Sequence, residues 1–467
     1  MMRQLTAHSR QLTAPRLTLS PVPCPLSPLL ARGVLLVLLA GAARESALAE
    51  TIRLDADGAA ARAVAVSDLA TAAAHRRDAV EAGVRSADAG RLPVVNAGAS
   101  AAYRSSVPEY ALPAQTPSGP ALVLIPDIRE VYIATLAVGQ TLYRGGAVDA
   151  ARERARHDLA AVEAEASRTI ADLTLAARVD YWEALQANAL LAAARARLAR
   201  AERLQADTDA LLAAGMAVRA DVLAADALAA DARVDVISAE AAVSNTVTRL
   251  RSLLHLTVAD TVEFADSLAG LPKPPPAVEV LIERARAGRP ELAALAARLE
   301  GLAAAERLAA APARPAVGVA AQWDVANPNG RYFPPEASWQ DSWSVGVAAG
   351  WTLFDGGRAR ADAAAVAAGR RALAAERADI ERSVELEVET ARTALESALA
   401  AAIAADAAHA AALAREQAAR ERHEAGLVTI VDVLDAQASL ADAEVRRVVV
   451  RGIAWVAAAR LERAVGS

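Results

Sequence analysis

Two stretches of this chain repeat each other at one fixed distance, and that repetition limits what the chain can fold into. Thr141-Leu142-Tyr143-Arg144-Gly145-Gly146 returns as Thr352-Leu353-Phe354-Asp355-Gly356-Gly357. Ala214-Gly215 followed by Asp221-Val222-Leu223 returns as Ala425-Gly426 followed by Asp432-Val433-Leu434. Both pairs stand 211 positions apart, so the Gly-Gly and the Ala-Gly are equally spaced in the two halves. Repeats of this kind outrank local motifs as evidence of architecture. Loops of a globular domain tolerate insertions, whereas a rod of set length does not.

Proline placement gives the same answer. All 21 prolines fall outside two windows, 127 to 271 and 336 to 467. Proline inside a helix costs about 3 kcal/mol, so two long proline-free windows predict helix. Ala147 to Ala213 and Arg358 to Glu424 are each 67 residues, or roughly 100 Å of rod at about 1.5 Å per residue. Gly215 is the only glycine between Ala147 and Leu254, and Gly426 holds the matching place. Each glycine marks a point where the rod doubles back. Leu190, Leu204 and Leu211 fall at multiples of seven, the spacing of coiled-coil packing. The pattern predicts two long helical hairpins, 147–254 and 358–464.

Composition fits rods better than a thick core. Hydrophobic residues reach 54% mainly through alanine, and aromatics are only 3%. Alanine has the highest helix propensity and little bulk, whereas large cores are filled by Leu, Ile, Val and Phe. The net charge of -6 argues against nucleic acid, which requires a clustered basic surface. The cations are arginine except for Lys273, which reads as genome composition.

The first 49 residues have the form of an export signal. Arg3, Arg10 and Arg16 lead, Leu29 to Ala43 is apolar apart from Arg32, and Ala47-Leu48-Ala49 is a small-residue cleavage site. The sole cysteine, Cys24, precedes the apolar run and is expected to leave with it. The mature chain would then have no thiol for disulfides or metal. No later segment has the roughly 18 uncharged residues of a spanning helix.

Before each Gly-Gly the period changes to two. Trp343, Val345, Val347, Ala349, Trp351 and Leu353 oppose Ser344, Gly346, Ala348, Gly350 and Thr352. Val317, Val319, Ala321 and Trp323 likewise oppose Gly318, Ala320, Gln322 and Asp324. Further strands are expected at about 93–106 and 132–143, beside those at about 316–324 and 343–353. Alternation over about ten residues with aromatics near the strand ends is the pattern of a transmembrane barrel. A soluble antiparallel sheet with one wet face shows it too. Open edges are forbidden in lipid, and four strands cannot close a pore, so a barrel demands an oligomer. Segments 107–131 and 325–342 carry Pro, Gly, Asn and Ser and are expected to be exposed loops.

The order strand, loop, strand, Gly-Gly, long hairpin, given twice, resembles the TolC family of outer-membrane efflux proteins. Further matches are Arg91-Leu92-Pro93 before the first strand and Arg289-Pro290-Glu291-Leu292 opening the second repeat. Ala425-Gly426-Leu427 before Asp432-Val433-Leu434 resembles the family's second hairpin tip. The resemblance spans about 60 to 467. It implies a mainly α fold with a transmembrane β-barrel, in which a homotrimer forms a 12-stranded barrel and a periplasmic α-helical tube. It divides the chain into a signal peptide, 1–49, a first repeat, 50–271, a linker, 272–289, and a second repeat, 290–467. Residues 272–276, with neighbouring helices, and 50–90 would form a belt around the tube. The implied partners are outer-membrane lipid, a periplasmic adaptor and, through it, an inner-membrane RND or ABC pump. The implied function is a passive conduit for tripartite efflux or type I secretion, located in the outer membrane and extending into the periplasm.

Catalytic signatures are lacking. His8, His75, His157, His255, His409 and His423 include no pair at the i, i+4 spacing of a helical metal site, and neither a Gly-x-Ser-x-Gly nor a phosphate-cradling Gly-Lys-Ser/Thr occurs. No enzyme activity, cofactor or metal is expected. Met216 is the one methionine beyond the start of the chain, which gives a methionine-based metal relay no support. Function then rests on surfaces. Asn96, Ser100, Gln322 and Asp324 are candidates to face the lumen. Gly215, Met216, Gly426 and Leu427 are candidates for the partner-binding hairpin tips. Asp432 and Asp435 are candidates to constrict the tube entrance, whereas the repeated Asp221 and Asp432 equally fit caps of the returning helices. The alternative to a channel is a periplasmic coiled-coil scaffold or adaptor. An adaptor would need a compact β domain, and only strand pairs opening helical hairpins are seen.

A rod of fixed length makes a specific prediction. Removing one heptad from one hairpin should abolish export while the strands still insert, as judged by an export assay beside membrane fractionation. Normal export by the shortened protein would overturn the rigid-rod reading.

Overall fold

The computed structural model describes residues 51–113 and 121–466, so the expected export signal with Cys24 lies outside the described residues. The chain begins with β1 (Thr51–Leu54), α1 (Ala56–Val66), α2 (Asp68–Ala89) and β2 (Val94–Tyr103). A small hairpin, β3 (Tyr110–Leu112) and β4 (Leu122–Ile125), precedes β5 (Glu130–Arg144), α3 (Ala147–Ala213) and α4 (Arg219–Leu253). After β6 (Thr261–Phe264) come α5 (Val278–Gly288), α6 (Pro290–Ala310), β7 (Ala316–Asn327) and β8 (Gln340–Gly350). The last elements are α7 (Arg358–Glu424) and α8 (Ile430–Val465).

Helices α3 and α7 are each 67 residues long and start directly after a Gly-Gly pair. All four of those glycines are left-handed, with φ from +60° at Gly145 to +85° at Gly357, a conformation that glycine adopts without penalty. Gly145 is also packed, since a Cβ there would stand 2.4 Å from the Ala311 carbonyl oxygen.

The helices lie side by side as rods. In the half nearer the strands the neighbours run α2, α3, α6, α7, and in the half nearer the tips α4, α3, α8, α7. Helices α3 and α7 cross both halves, while α8 ends where α6 begins. There the Arg289 guanidinium donates to the Ala464 carbonyl (2.8 Å), and Arg463 pairs with Asp172 (2.7 Å) and with Glu291. Placing α8's carbonyl end against α6's N–H end aligns the two helix dipoles head to tail.

Contact faces are alanine. Ala177, Ala184, Ala225, Ala229, Ala232, Ala402 and Ala454 are fully buried. Arginine–carboxylate pairs link neighbouring rods. Arg195–Glu240 (2.9 Å) joins α3 to α4, Arg447–Asp406 (2.8 Å) joins α7 to α8, and Arg200–Glu444 (2.6 Å) joins the two hairpins. One 18-residue window of α7 reaches a mean hydropathy of 1.5. That value reflects alanine, because Asp406 is held there by Arg447 and Arg451.

A belt crosses the rods near their middle. Strands β1 and β6 pair in parallel. The Tyr181 hydroxyl donates to the Leu54 carbonyl (3.0 Å) and accepts the Asp266 N–H (3.2 Å). Trp182 stacks on Trp455 with ring centroids 4.5 Å apart, and α1 lays Ala59, Ala60 and Ala63 on this cluster. Within the stretch expected to be a linker, 272–289, lies α5 (Val278–Gly288), one of the helices expected beside the prolines. Leu281, Ile282 and Ala285 give α5 an apolar stripe that packs on Val384, Val388 and Leu461. The prolines at 272–276 mask the bounds of that helix in the sequence.

Hydrogen bonds from Arg451, with Arg447 beside it, hold the Asp406 carboxyl below the usual carboxylate range. A depressed carboxyl stabilises the fold above its unfolded value of about 3.9 and loses that contribution as pH falls through the folded value. Thermal unfolding followed by circular dichroism should therefore show an acid-labile contribution below about pH 4. Asp406→Asn should reduce it and leave the higher-pH slope unchanged.

Candidate functional site

The larger sheet has the order β2-β5-β7-β8, with every neighbouring pair antiparallel. Residues directly opposite one another share a face. Asn96 lies opposite Ala137, Ala137 opposite Gln322, and Gln322 opposite Ser344. The next rows on that face are Gly98-Thr135-Asp324-Ser342 and Ser100-Ile133-Ala326-Gln340. Asn96, Ser100, Gln322 and Asp324 therefore fall together on one face. The Asp324 carboxylate accepts from the Thr135 hydroxyl (2.7 Å) and the Gln322 amide (2.9 Å).

The opposite face carries Val95-Val138-Ala321-Val345 and Ala97-Leu136-Trp323-Trp343. Among the described residues nothing covers it, and Trp343 and Val347 are 69% and 70% exposed. A sheet with one wet face normally buries its apolar face against a core, so this one matches hydrocarbon on one side and water on the other.

Among the described residues both outer strands have an open edge, because β2 pairs only with β5 and β8 only with β7. Strand β8 runs 340–350 rather than the expected 343–353. Its partner β7 begins at Ala316, directly after Pro315, and Ala316 lies opposite Gly350. Trp351, Thr352 and Leu353 continue the alternation past the end of that partner. Strand β5 is longer than expected, and a bulge between Thr141 and Tyr143 lets it reach Arg144. The segment expected to be plain loop at 107–131 holds the β3–β4 hairpin.

The two tips share one construction. At the first, the Gly215 N–H donates to the Leu212 carbonyl (3.0 Å) and the Met216 N–H to Leu211 (2.8 Å). At the second, Gly426 donates to His423 (2.9 Å) and Leu427 to Arg422 (2.8 Å). This paired closure needs a left-handed residue after the helix, and Gly215 and Gly426 have φ of +74° and +73°. Met216 and Leu427, 72% and 74% exposed, stand out beside them.

Asp221 and Asp432 cap the returning helices. Asp221 accepts the Val218 N–H (3.1 Å), and Asp432 accepts the Thr429 N–H (2.9 Å) and hydroxyl (2.7 Å). Those two bonds hold the Asp432 carboxyl below the usual range. Asp435 pairs with Arg415 across the second hairpin, and His423 lies 3.1 Å from the Val428 carbonyl. Sequence reasoning missed the belt residues Tyr181, Trp182 and Trp455. Two adjacent aromatics in an alanine-rich helix were the available signal.

Comparisons with known proteins agree with one another. A family model described as outer membrane efflux protein matches residues 61–255 and 281–467. No individually curated protein matches. Among solved structures, a membrane protein from Pseudomonas aeruginosa is 23% identical, with a TM-score of 0.70 over 87% of this chain and 92% of its own. The outer membrane protein VceC from Vibrio cholerae is 21% identical, with a TM-score of 0.70 over 88% of this chain and 96% of its own. The open-state outer membrane channel MtrE of Neisseria gonorrhoeae is 18% identical, with a TM-score of 0.72 over 88% and 89%. At such identities the likeness is one of fold.

The tip geometry yields a local prediction. Gly426→Val places a β-branched residue at a left-handed position, a cost of about 1 to 2 kcal/mol. Hydrogen exchange should accelerate around residues 420–432 and remain unchanged at the belt.

Proposed function

The chain belongs to the outer membrane efflux protein family and is an outer-membrane protein reaching into the periplasm, and from that premise we propose that it forms one third of an export conduit. Three copies each supply the four strands of the larger sheet to a single 12-stranded barrel. The helical hairpins of the three copies form the wall of a tube across the periplasm. Asn96, Ser100, Gln322 and Asp324 face the lumen, and the face bearing Trp323 and Trp343 meets lipid. The tips at Gly215-Met216 and Gly426-Leu427 offer an apolar contact to a periplasmic adaptor, which couples the tube to an inner-membrane RND or ABC pump. The conduit is passive, and cargo passes through it for efflux or type I secretion.

The observation that carries this reading is the sheet itself, with one uncovered apolar face, one polar face and two open edges. Within lipid, open edges must be closed, and in this reading the edge of another copy closes each. A soluble scaffold would leave Trp343, Val345 and Val347 in water.

The repeat supplies a register for the closure. Within the chain, Val138 of β5 lies opposite Ala321 of β7. The 211-residue offset carries Val138 to Ala349. Aligning the first residues of β7 and β2, Ala316 and Val94, carries Ala321 to Ala99. Ala349 of one copy should therefore oppose Ala99 of the next. Introducing Ala99→Cys with Ala349→Cys and oxidising intact outer membranes should give a disulfide-linked trimer on a non-reducing gel. Monomer alone, with both thiols open to maleimide, would refute closure through β2 and β8.

A further inference from the structure

Opposite the belt, the wall of rods carries an apolar groove. On α3, Ala177, Tyr181 and Ala184 pack beneath α1 and β1. At about 3.6 residues per turn, Glu183, Gln186 and Leu190 point the other way. On that side α3, α4, α7 and α8 border an open groove of about 1070 Å³, and its apolar lining is chiefly Leu175, Leu190, Leu386, Val449, Ile453 and Val456. In the proposed tube the belt lies outside, so the groove opens to the interior. Its volume is that of a small-molecule site, typically about 300–1,000 Å³. Leu386 and Ile453 are 66% and 49% exposed, an unusual feature for the wall of a water-filled conduit.

The charges at its rim are unequal. Glu183 is neutralised by Arg249, and Glu387 by Arg289 at 2.7 Å. Arg460 also lines the groove and makes no ion pair among the described residues. Arg463, 8% exposed, pairs through Nε and Nη2 with Asp172 and Glu291, while its Nη1 is buried without a hydrogen-bond partner. Arg463 is thus matched by two carboxylates, and the unpaired cation at the end nearer the strands is Arg460. The apolar surface runs tipward from it along α8, and Val449 to Arg463 spans roughly 20 Å at about 1.5 Å per residue.

We propose that this groove binds an anionic amphiphile, with a carboxylate or sulfonate head on the exposed Arg460 and an apolar body along α8. Guanidinium groups hold such heads through charge-assisted hydrogen bonds, and the apolar body covers surface otherwise left in water. The inference deepens the conduit reading and rests on it, naming a class of molecule that pauses on the inner wall.

The test uses the full-length channel in lipid nanodiscs, titrated with dansylated undecanoic acid and, separately, with its uncharged methyl ester. A saturable fluorescence rise near one probe per copy is expected, with the ester binding far more weakly. Arg460→Gln should raise the Kd about tenfold, and Leu386→Gln should weaken binding by removing apolar contact. Equal binding of acid and ester, or an unchanged Kd in Arg460→Gln, would overturn the site. Conductance in planar bilayers is measured on the same preparations. Protein that conducts normally without binding the probe loses only the groove proposal, whereas wild-type protein that never conducts removes the conduit reading beneath it.

Discussion

Alanine at the helix contacts sets the terms for everything else in this fold. Side chains as small as those of Ala177, Ala229 and Ala402 let rods approach closely, yet each buries little apolar area. The shortfall is met in two ways. One is length, because each added turn adds another contact of the same kind. The other is charge, with arginine–carboxylate pairs joining neighbouring rods. Exposed pairs such as Arg195–Glu240 contribute about 0–1 kcal/mol each, so they fix register more than they stabilise. Arg289 and Arg463 differ, being 5% and 8% exposed. Only Arg463–Glu291 is largely buried on both sides, and removing one partner of such a pair typically costs about 3–5 kcal/mol; both arginines sit at the joint where α8 meets α6.

That joint shows how a repeated sequence builds a wall from unlike rods. Helices α3 and α7 run unbroken through both halves, whereas α8 with α6 forms an interrupted line. The ends of such lines require caps. Gly466 closes α8 with φ +88°, and His255, the residue 211 positions earlier, closes α4 with φ +48°. A non-glycine residue there costs about 1 kcal/mol, so the two ends share a geometry without sharing its stability. The belt gathers at the same level, and Tyr181 ties the unbroken α3 to β1 and to the segment after β6.

Features set by neighbours in sequence were legible in the chain. The long helices follow from glycine placement and proline exclusion, and the polar strand residues from alternation alone. Features set by distant partners were not. The bounds of helix α5 hide behind the prolines at 272–276, because only its burial against α7 and α8 shows why Leu281 and Ala285 matter. The end of β8 depends on where β7 begins. Whether Asp432 caps or constricts could not be read from its position, and the Thr429 hydrogen bonds identify it as a cap. The groove draws on α3, α4, α7 and α8, residues up to 288 positions apart (Leu175 to Arg463), beyond the reach of any local pattern.

Strand β8 links folding to assembly. The sequence alternates through Leu353, but the ladder stops at Gly350 because β7 has no residue left to pair. Trp351 and Leu353 remain 60% and 78% exposed, with backbone groups free on the open edge. In water those residues are an aggregation hazard, and in lipid an unpaired edge is not tolerated. The sheet of a single copy is therefore poorly matched to either solvent. In the conduit we propose, closing the edges with other copies would satisfy the backbone in the same step that directs the apolar face to lipid, which would make assembly and insertion of this sheet one process.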